Sequence, residues 1–205
     1  MIENFTNSTN YARKFFKDDK NLLEIKDYAI SNKVPIITDE VLSFMLFLAN
    51  NKDYKKGLEI GTAIGYSTLY LSKFLEMTTI EIDENRYLVA KENFEKYNKN
   101  INLINDDALN VIENLNDNFD FIFIDAAKGQ YKRFFDLCYG KLNKGGLIFI
   151  DNILFRSYVG SNEYPKKFKT IVNRLDEFIT YLSDNYNFTL IPFGDGVGLV
   201  KREEK

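Results

Sequence analysis

Acidic and amide side chains follow two apolar segments of this sequence. Asp125 comes directly after the apolar run 119–124, and Asp151 and Asn152 come directly after the run 147–150. Carboxylate and amide oxygens are the ligands that a hard divalent cation such as Mg²⁺ prefers, and Mg²⁺ takes only a few of them because it keeps several waters. The pattern favours an Mg²⁺ site. The alternative is that the two aspartates only cap the helices that follow them.

A lysine stands close to the first of these carboxylates. Lys128 lies three residues after Asp125, and the chain has no histidine. Histidine-based triads, histidine–zinc sites and histidine general bases are therefore excluded. In an enzyme with this sequence, Lys, Asp, Glu or Tyr must move the protons.

A glycine-containing turn at 57–67 is the second feature with chemical meaning. The segment has a short apolar run, the glycines Gly61 and Gly65, and then a helical pattern. The glycines permit a sharp turn close to a ligand, and the N–H groups of the following helix face whatever is bound there. Such a unit is a nucleotide cradle in many α/β proteins. A turn that serves only packing is the alternative, because the glycine patterns of dinucleotide and phosphate loops are missing.

Two acidic residues after the next apolar run have different predicted roles. Glu81 falls about 20 residues after Gly61, where this kind of fold places an acid that holds ribose hydroxyls. Asp83 stands directly before a helical pattern and is predicted to cap that helix.

Alternating strand and helix patterns must position these residues. The predicted strands are 57–60, 79–83, 101–104, 119–124, 147–150, 188–191 and 197–201. The last two are joined by a short connection, which predicts an antiparallel hairpin. The rest alternate with helical periodicity, which predicts an α/β protein with a mostly parallel sheet. In such sheets ligands bind beyond the carboxyl ends of the strands, where the residues above fall.

The outer parts of the chain are predicted to be mostly helical. Residues 1–33 are expected to be helical, 34–37 extended, and Thr38 or Asp39 to begin an apolar helix. A long helix is expected after Pro165, and the segment 153–165 is expected to be irregular. The whole chain, 1–205, is predicted to be one domain in which 1–50 form an N-terminal helical cap region.

Composition limits the class of protein. Hydrophobic residues make up 45% and charged residues 28% of the 205 residues, which is typical of a globular protein. No apolar run has the length of a membrane span, so no membrane partner is expected. The one cysteine suits a reducing, cytoplasmic location. The net charge of −3 gives no general attraction to nucleic acid.

Four motifs together resemble one known family. They are 57–67, Asp-Ala-Ala-Lys-Gly-Gln-Tyr at 125–131, Asp-Asn-Ile-Leu-Phe at 151–155 and Gly-Asp-Gly at 194–196. They resemble the cation-dependent class I O-methyltransferases that use S-adenosylmethionine, such as catechol and caffeoyl-CoA O-methyltransferases. The resemblance runs from about Val34 to the C-terminus. It implies a Rossmann-like class I methyltransferase fold, with a seven-stranded, mostly parallel sheet, an antiparallel last strand and helices on both faces.

The resemblance also implies roles for matching positions. Asp125, Asp151 and Asn152 would bind Mg²⁺, Lys128 would be the catalytic lysine, and Arg156 would contact the substrate. The residues implied to hold S-adenosylmethionine are Ile37, Glu59, Gly61, Thr62, Ala63, Gly65, Ser67, Glu81, Asp107, Ala108 and Asp125. Members of the family usually have a glycine soon after the segment 151–156, whereas this chain has Ser157 and Tyr158.

Within that family, the segments 34–36, 124–131 and 151–156 most resemble the bacterial enzymes that methylate 5-hydroxyuridine at the wobble position of tRNA. This implies tRNA as the substrate partner and a homodimer. Basic residues around the irregular segment agree with it, namely Arg156, Lys166, Lys167, Lys169 and Arg174. A solvated helix start is the alternative.

Other functions remain open at this stage. A cation site predicts an acceptor with two adjacent oxygens, which 5-hydroxyuridine and catechols both have, so a small-molecule catechol-type O-methyltransferase is the second interpretation. A dimeric binding module without catalysis is the third. The presence of Asp125, Lys128, Asp151 and Asn152 together argues against the third.

Overall fold

The computed structural model describes residues 2–204. The strands are β1 Lys56–Ile60, β2 Glu76–Glu81, β3 Asn102–Asn105, β4 Phe119–Ile124, β5 Leu142–Ile150, β6 Asn187–Ile191 and β7 Val197–Lys201. The helices are α1 Ile2–Arg13, α2 Leu23–Ser31, α3 Asp39–Ala49, α4 Tyr66–Leu71, α5 Glu84–Lys96, α6 Ala108–Asn114, α7 Tyr131–Lys141 and α8 Lys169–Asn185. Short 3₁₀ turns, Lys128–Gln130 and Lys166–Phe168, precede α7 and α8.

The strands of the described chain form one seven-stranded sheet in the order β3-β2-β1-β4-β5-β7-β6. Strands β1 to β5 pair in parallel, and β7 lies antiparallel between β5 and β6. The predicted fold class and the C-terminal antiparallel hairpin are confirmed.

Strand β1 lies where the direction of strand succession reverses, since it pairs with β2 on one side and β4 on the other. This arrangement leaves a crevice at the carboxyl ends of β1 and β4, where open α/β sheets bind ligands. The loops after both strands are fixed by the sheet itself. Asp125 donates its N–H to the carbonyl of Ile60, and Gly61 donates its N–H to the carbonyl of Ile80, both at 3.0 Å.

The sheet separates two hydrophobic cores, one on each face. Strand β4 contributes alternately to both, with Phe121 and Phe123 on one face and Ile122 and Ile124 on the other. A strand that is buried on both faces is almost wholly apolar, which explains why the sequence predicted this strand. Helix α7 packs against the sheet with four buried side chains, namely Tyr131, Phe134, Phe135 and Cys138.

The expectation of a helical segment over 1–33 is only partly correct. Helices α1 and α2 are separated by residues 14–22, in which Asp18 and Asp19 form ion pairs with lysines of other segments. Lys26 pairs with Asp18 at 2.8 Å and with Asp39 at 2.7 Å, which ties α2 to the start of α3. The helical periodicity of a sequence does not predict such ion pairs, so it did not predict this break.

The predicted boundaries of the second strand also differ from the structure. Strand β2 is Glu76–Glu81 rather than 79–83, because Ile82 turns to solvent and Asp83 caps α5 by accepting the N–H of Arg86. Helix α4 stops at Leu71. Among residues 2–204, no helix has the length and apolar character that crossing a bilayer requires.

Candidate active site

A cavity of about 490 Å³ opens at the carboxyl ends of β1, β2, β4 and β5. This volume is typical of a pocket for a small molecule. The sequence-predicted residues that line it are Ile37, Gly61, Ala63, Glu81, Asp107, Ala108, Asp125, Lys128, Asp151 and Asn152. The fold therefore brings most of the predicted cofactor residues and the predicted cation ligands into one space.

The glycine loop turns tightly, as its sequence predicts. Gly61 has a φ of +99°, and a Cβ there would lie 2.1 Å from the backbone oxygen of Asp125. Gly65 has a φ of +83°, and a Cβ there would lie 2.4 Å from the ring of Phe94. Both positions need glycine for the backbone conformation and for space. The loop can therefore pass directly beside the end of β4, close to Asp125.

Four backbone N–H groups of this loop form hydrogen bonds within the protein. Gly61 and Thr62 both donate to the carbonyl of Ile80, and Gly65 donates to the carbonyl of Thr62. Ala63 donates to the side chain of Glu81. These bonds stabilise the shape of the loop, and binding of a ligand by the N–H groups of the following helix stays a prediction.

Glu81 lies at the end of β2 with its carboxylate against the cavity. Its Oε2 accepts the N–H of Ala63 at 2.7 Å, and its Oε1 accepts the N–H of Asp83 at 2.9 Å. Each carboxylate oxygen has a second lone pair, so ribose hydroxyls can donate to the same carboxylate. Glu81 is thus held in place before any ligand binds.

Glu59 is fully buried beneath the glycine loop and does not line the cavity. It accepts hydrogen bonds from the hydroxyls of Ser67, Thr68 and Thr79, with oxygen–oxygen distances of 2.6 Å for Ser67 and Thr79. Burial raises the pKa of Glu59 to about 7, against the lowering effect of these hydroxyls. Glu59 fastens the start of α4 to β1 and β2.

Thr62, Gly65 and Ser67 likewise lie outside the cavity lining. Thr62 shares a hydrogen bond of 2.6 Å with the hydroxyl of Thr79. Direct contact of these residues and of Glu59 with a cofactor stays a prediction, and what the structure shows is that they build the loop. Asp107 lines the cavity and also caps α6 by accepting the N–H of Leu109 at 2.9 Å.

Asp125, Lys128, Asp151 and Asn152 meet at the other end of the cavity. Lys128 Nζ lies 3.3 Å from Asn152 Oδ1. Asp151 is only 2% exposed, and Tyr131 donates its hydroxyl to the backbone oxygen of Asp151 at 2.9 Å. The alternative that the two aspartates only cap helices is not favoured. Asp125 is not the N-cap of the next turn, Lys128–Gln130, because Ala127 occupies that position. Asp151 Oδ1 accepts the N–H of its direct neighbour, Asn152.

The electrostatics of this end suit a bound cation. Burial, and after it the negative charge of Asp125, raise the pKa of Asp151 to about 7. Burial also raises the pKa of Asp125, which the charge of Lys128 partly offsets. Two buried carboxylates that repel each other are stabilised by a positive charge between them.

The donor set is small. The described residues include no group of three or more His, Cys, Asp or Glu side chains placed to hold a metal ion. Two carboxylates and one amide oxygen are instead the set expected for Mg²⁺, which keeps several waters. The residues that are present therefore fit the implied cation.

Arg156 lies outside the cavity lining, on a lip formed by residues 153–168. Its guanidinium lies 5.6 Å from the ring centroid of Phe168 and 6.0 Å from that of Phe155. Its contact with a substrate stays a prediction. The lip is aromatic, with Tyr158 stacked on Phe168 at 5.7 Å.

Two residues near the site were not assigned a role from the sequence. Gln130 lines the cavity, and its buried Oε1 lacks a hydrogen-bond partner among the described residues. Asp195 belongs to the turn between β6 and β7 and accepts the N–H of Ser157 at 3.2 Å. The Gly-Asp-Gly motif at 194–196 marked that turn, but only the fold shows that it touches the lip.

Comparison with known proteins gives a consistent family. A family model for O-methyltransferases matches residues 13–203. A caffeoyl-CoA O-methyltransferase of Populus kitakamiensis is 30% identical over 185 residues, which cover 82% of this chain and 77% of that protein.

Solved structures agree with that match. The O-methyltransferase of Bacillus cereus in complex with SAH (S-adenosylhomocysteine) has a TM-score of 0.79 at 25% identity, covering 98% of this chain and 100% of the other. An SAH-bound methyltransferase of Podospora anserina has a TM-score of 0.86 at 24% identity, covering 99% of this chain and 96% of the other, and it supports the fold alone.

The strand order agrees with the fold of these methyltransferase structures. The family match is more specific, because it extends over nearly the whole chain. The chain belongs to the O-methyltransferase family and is an S-adenosylmethionine-dependent enzyme.

Proposed function

We propose that this enzyme transfers the methyl group of S-adenosylmethionine, with Mg²⁺ bound, to one hydroxyl of a small catechol-type acceptor. The observation that carries the proposal is the oxygen cluster of Asp125, Asp151 and Asn152 beside Lys128, at one end of the cavity whose other end holds Glu81. An acceptor with two adjacent oxygens on a planar ring is the kind of molecule that such a cluster selects, since both oxygens can bind one cation.

Each part of the cavity then has a task. Glu81 holds the ribose hydroxyls of the cofactor, and Asp107 and Ala108 flank its adenine. Asp125, Asp151 and Asn152 would hold the cation, which when bound lowers the pKa of the acceptor hydroxyl and fixes its orientation. The neutral amine form of Lys128, whose Nζ lies 3.3 Å from Asn152 Oδ1, accepts the proton of that hydroxyl and becomes the ammonium.

Alignment is the second contribution of these residues. Methyl transfer from a sulfonium is an in-line displacement, so the acceptor oxygen, the methyl carbon and the sulfur must lie on one line. Holding both reactants in one cavity converts their encounter into a step within a complex. The fixed carboxylate of Glu81 and the rigid glycine loop supply the cofactor side of that alignment.

The relatives favour a small-molecule acceptor over RNA. The Populus relative is named for caffeoyl-CoA, whose caffeoyl group carries a catechol ring. One specific feature favours tRNA as the substrate. It is the lip, where Arg156 and Lys167 lie against the ring of Phe168. Aromatic and basic groups together can stack a base and hold a phosphate. We retain methylation of 5-hydroxyuridine in tRNA as the second candidate on that ground.

One assay separates the two candidates. The purified enzyme is incubated with S-adenosylmethionine and Mg²⁺, and with caffeoyl-CoA, a free catechol or tRNA containing 5-hydroxyuridine in parallel. Mass spectrometry then identifies the methylated product. We expect a methylated catechol ring at low substrate concentration. If 5-methoxyuridine is the favoured product instead, the substrate is tRNA and the first candidate is wrong.

A homodimer is a further part of the proposal, implied by the resemblance to the family. Light scattering during size-exclusion chromatography measures it directly. A mass close to twice that of the chain supports the dimer, and a monomer that is fully active would remove it.

A further inference from the structure

Three consecutive residues of the lip have a backbone conformation that side chains disfavour. Phe155 has a φ of +44°, Arg156 of +58° and Ser157 of +57°. The left-handed region brings Cβ too close to the following carbonyl oxygen, and residues other than glycine rarely adopt it in succession. Such strain persists only where neighbouring structure holds it, and it concentrates at functional sites.

The turn between β6 and β7 holds this segment. Ile153 donates its N–H to the carbonyl of Gly196, and Leu154 donates its N–H to the carbonyl of Asp195, both at 3.0 Å. Ser157 then donates its N–H to Asp195 Oδ1 at 3.2 Å. The backbone of Arg156 also hydrogen-bonds to this carboxylate. Asp195 therefore contacts the residue before the left-handed run through its backbone carbonyl and the end of the run through its carboxylate.

The turn can approach the lip so closely because Gly196 has no side chain. A Cβ at Gly196 would lie 2.3 Å from the side chain of Leu154, and its φ of +83° also requires glycine. The carboxylate of Asp195 is thereby fixed beneath the lip.

We propose that Asp195 is a positioning residue for the acceptor. It holds Arg156 and Ser157 in the left-handed conformation and thereby sets the shape of the acceptor lip. This proposal rests on the proposed function, because that function places the acceptor beside Asp151 and Asn152.

The lip is continuous with the proposed acceptor site. It begins directly after Asn152, which lies 3.3 Å from Lys128 Nζ and is itself left-handed, with a φ of +54°. Phe155 packs against Phe168 with ring centroids 5.3 Å apart. A change of backbone conformation at 155–157 therefore moves the aromatic wall nearest to the reacting groups.

The contact between Asp195 and the lip lies away from the cofactor end of the cavity. Neither Asp195 nor any residue of 153–157 lines the cavity, whose cofactor end is marked by Glu81 and Asp107, whereas Asp195 interacts electrostatically with Asp151 at the acceptor end. Loss of Asp195 should weaken acceptor binding and leave cofactor binding intact.

The test uses Asp195→Ala in the full-length enzyme. We expect the KM for the acceptor to rise about tenfold, the factor that corresponds to freeing one strained left-handed residue. The Kd for S-adenosylmethionine, measured by calorimetry, should stay within about twofold, a change too small for a lost hydrogen bond. Glu163→Gln removes an exposed carboxylate from the same segment and is the matched control.

Two further variants separate positioning from other roles. Asp195→Asn keeps an oxygen that accepts the N–H of Ser157, and it should raise KM by only about threefold. Ser157→Gly added to Asp195→Ala removes the steric penalty at that position and should restore most of the lost KM. If Asn and Ala are equally damaging and glycine restores nothing, the charge of Asp195 acts in another way and the proposal is overturned.

A second readout does not depend on activity. Amide hydrogen exchange should become faster at residues 154–158 in Asp195→Ala and stay unchanged at the glycine loop 61–65. Faster exchange without any activity on the acceptors tested would count against the proposed function but not against the role of Asp195 in the lip. Unchanged exchange at 154–158 would overturn that role.

Discussion

The two ends of the cavity satisfy their carboxylates in opposite ways. At the cofactor end, Glu59 accepts three hydroxyl hydrogen bonds and Glu81 accepts two backbone N–H groups. At the acceptor end, burial raises the pKa of both Asp125 and Asp151, the negative charge of Asp125 adds to the rise for Asp151, and Lys128 is the nearby positive charge.

The backbone shows the same difference. Around the cofactor end, two of the three described positions of the glycine loop with positive φ are glycines, Gly61 and Gly65, and the third is Ala63 with a φ of +48°. At the acceptor end, Asn152 and residues 155–157 adopt left-handed conformations without glycine. The carboxylates of the cofactor end are thus held by hydrogen bonds within the protein, whereas the acceptor end combines left-handed residues with two buried carboxylates beside Lys128.

The largest predicted effect is at the acceptor end, in Asp151→Ala. This variant removes a proposed cation ligand, so we expect kcat to fall by at least about 10³-fold. The Kd for S-adenosylmethionine should change little. Steady-state kinetics and calorimetry check the two parts, with Asp136→Ala, an exposed acid on α7, as the control. A kcat of Asp151→Ala close to that of the wild type would show that the acceptor end does not depend on Asp151 as a cation ligand.

Lys128→Ala tests the proton acceptor. We expect a fall in kcat of about 10²- to 10³-fold, the usual contribution of a positioned general base. Lys132→Ala is a matched control, because Lys132 lies one helical turn further on and pairs with Asp136 at 2.7 Å. Equal effects of the two variants on kcat would remove Lys128 from the chemical step.

Glu81→Gln should act at the cofactor end alone. The amide keeps the shape of the side chain but loses the charge that strengthens its hydrogen bonds to Ala63 and to the ribose, so the Kd for S-adenosylmethionine should rise about 10- to 100-fold. The kcat at saturating cofactor should remain near that of the wild type. Glu84→Gln on the exposed start of α5 controls for lost charge, and a large loss of kcat would contradict the separation of the two ends.

The smallest predicted effect is a pH dependence of stability that originates from Glu59. Burial raises its pKa from 4.5 to about 7, so the folded protein binds more protons than the unfolded chain between these pH values. This contribution to stability is complete below pH 4.5 and is lost as pH rises through 7, with a slope of at most about 1.4 kcal/mol per pH unit. Urea unfolding of wild type and Glu59→Gln at several pH values measures it. A stability difference between them that does not fall with rising pH would be contrary to the prediction.

The fold could be predicted from the sequence where one face or both faces of an element are buried. Strand β4 was identified with its observed bounds because it is apolar on both faces. The break at 14–22 could not be predicted, because its residues Asp18 and Asp19 form ion pairs with Lys26 of α2 and with Lys73, which lies just after α4. Helical periodicity reports only local contacts.

The candidate site shows the same limit. Asp125, Lys128 and Asp151 were identified because each stands at the end of an apolar strand or directly after it. Glu59 was assigned to the cofactor by family resemblance, but the structure places its carboxylate under the loop. The role of Asp195 depends on how two distant segments meet, and no local pattern reports that meeting.

Binding of a divalent cation is the most direct test of the difference between the two ends. Mn²⁺, which is detectable by electron paramagnetic resonance, can be titrated into the enzyme with S-adenosylmethionine present, for the wild type and for Asp151→Ala. We expect one bound ion per chain in the wild type, its loss in the variant, and no methyl transfer by the wild type in excess EDTA. Full methyl transfer in EDTA, or equal Mn²⁺ binding by both proteins, would contradict the account.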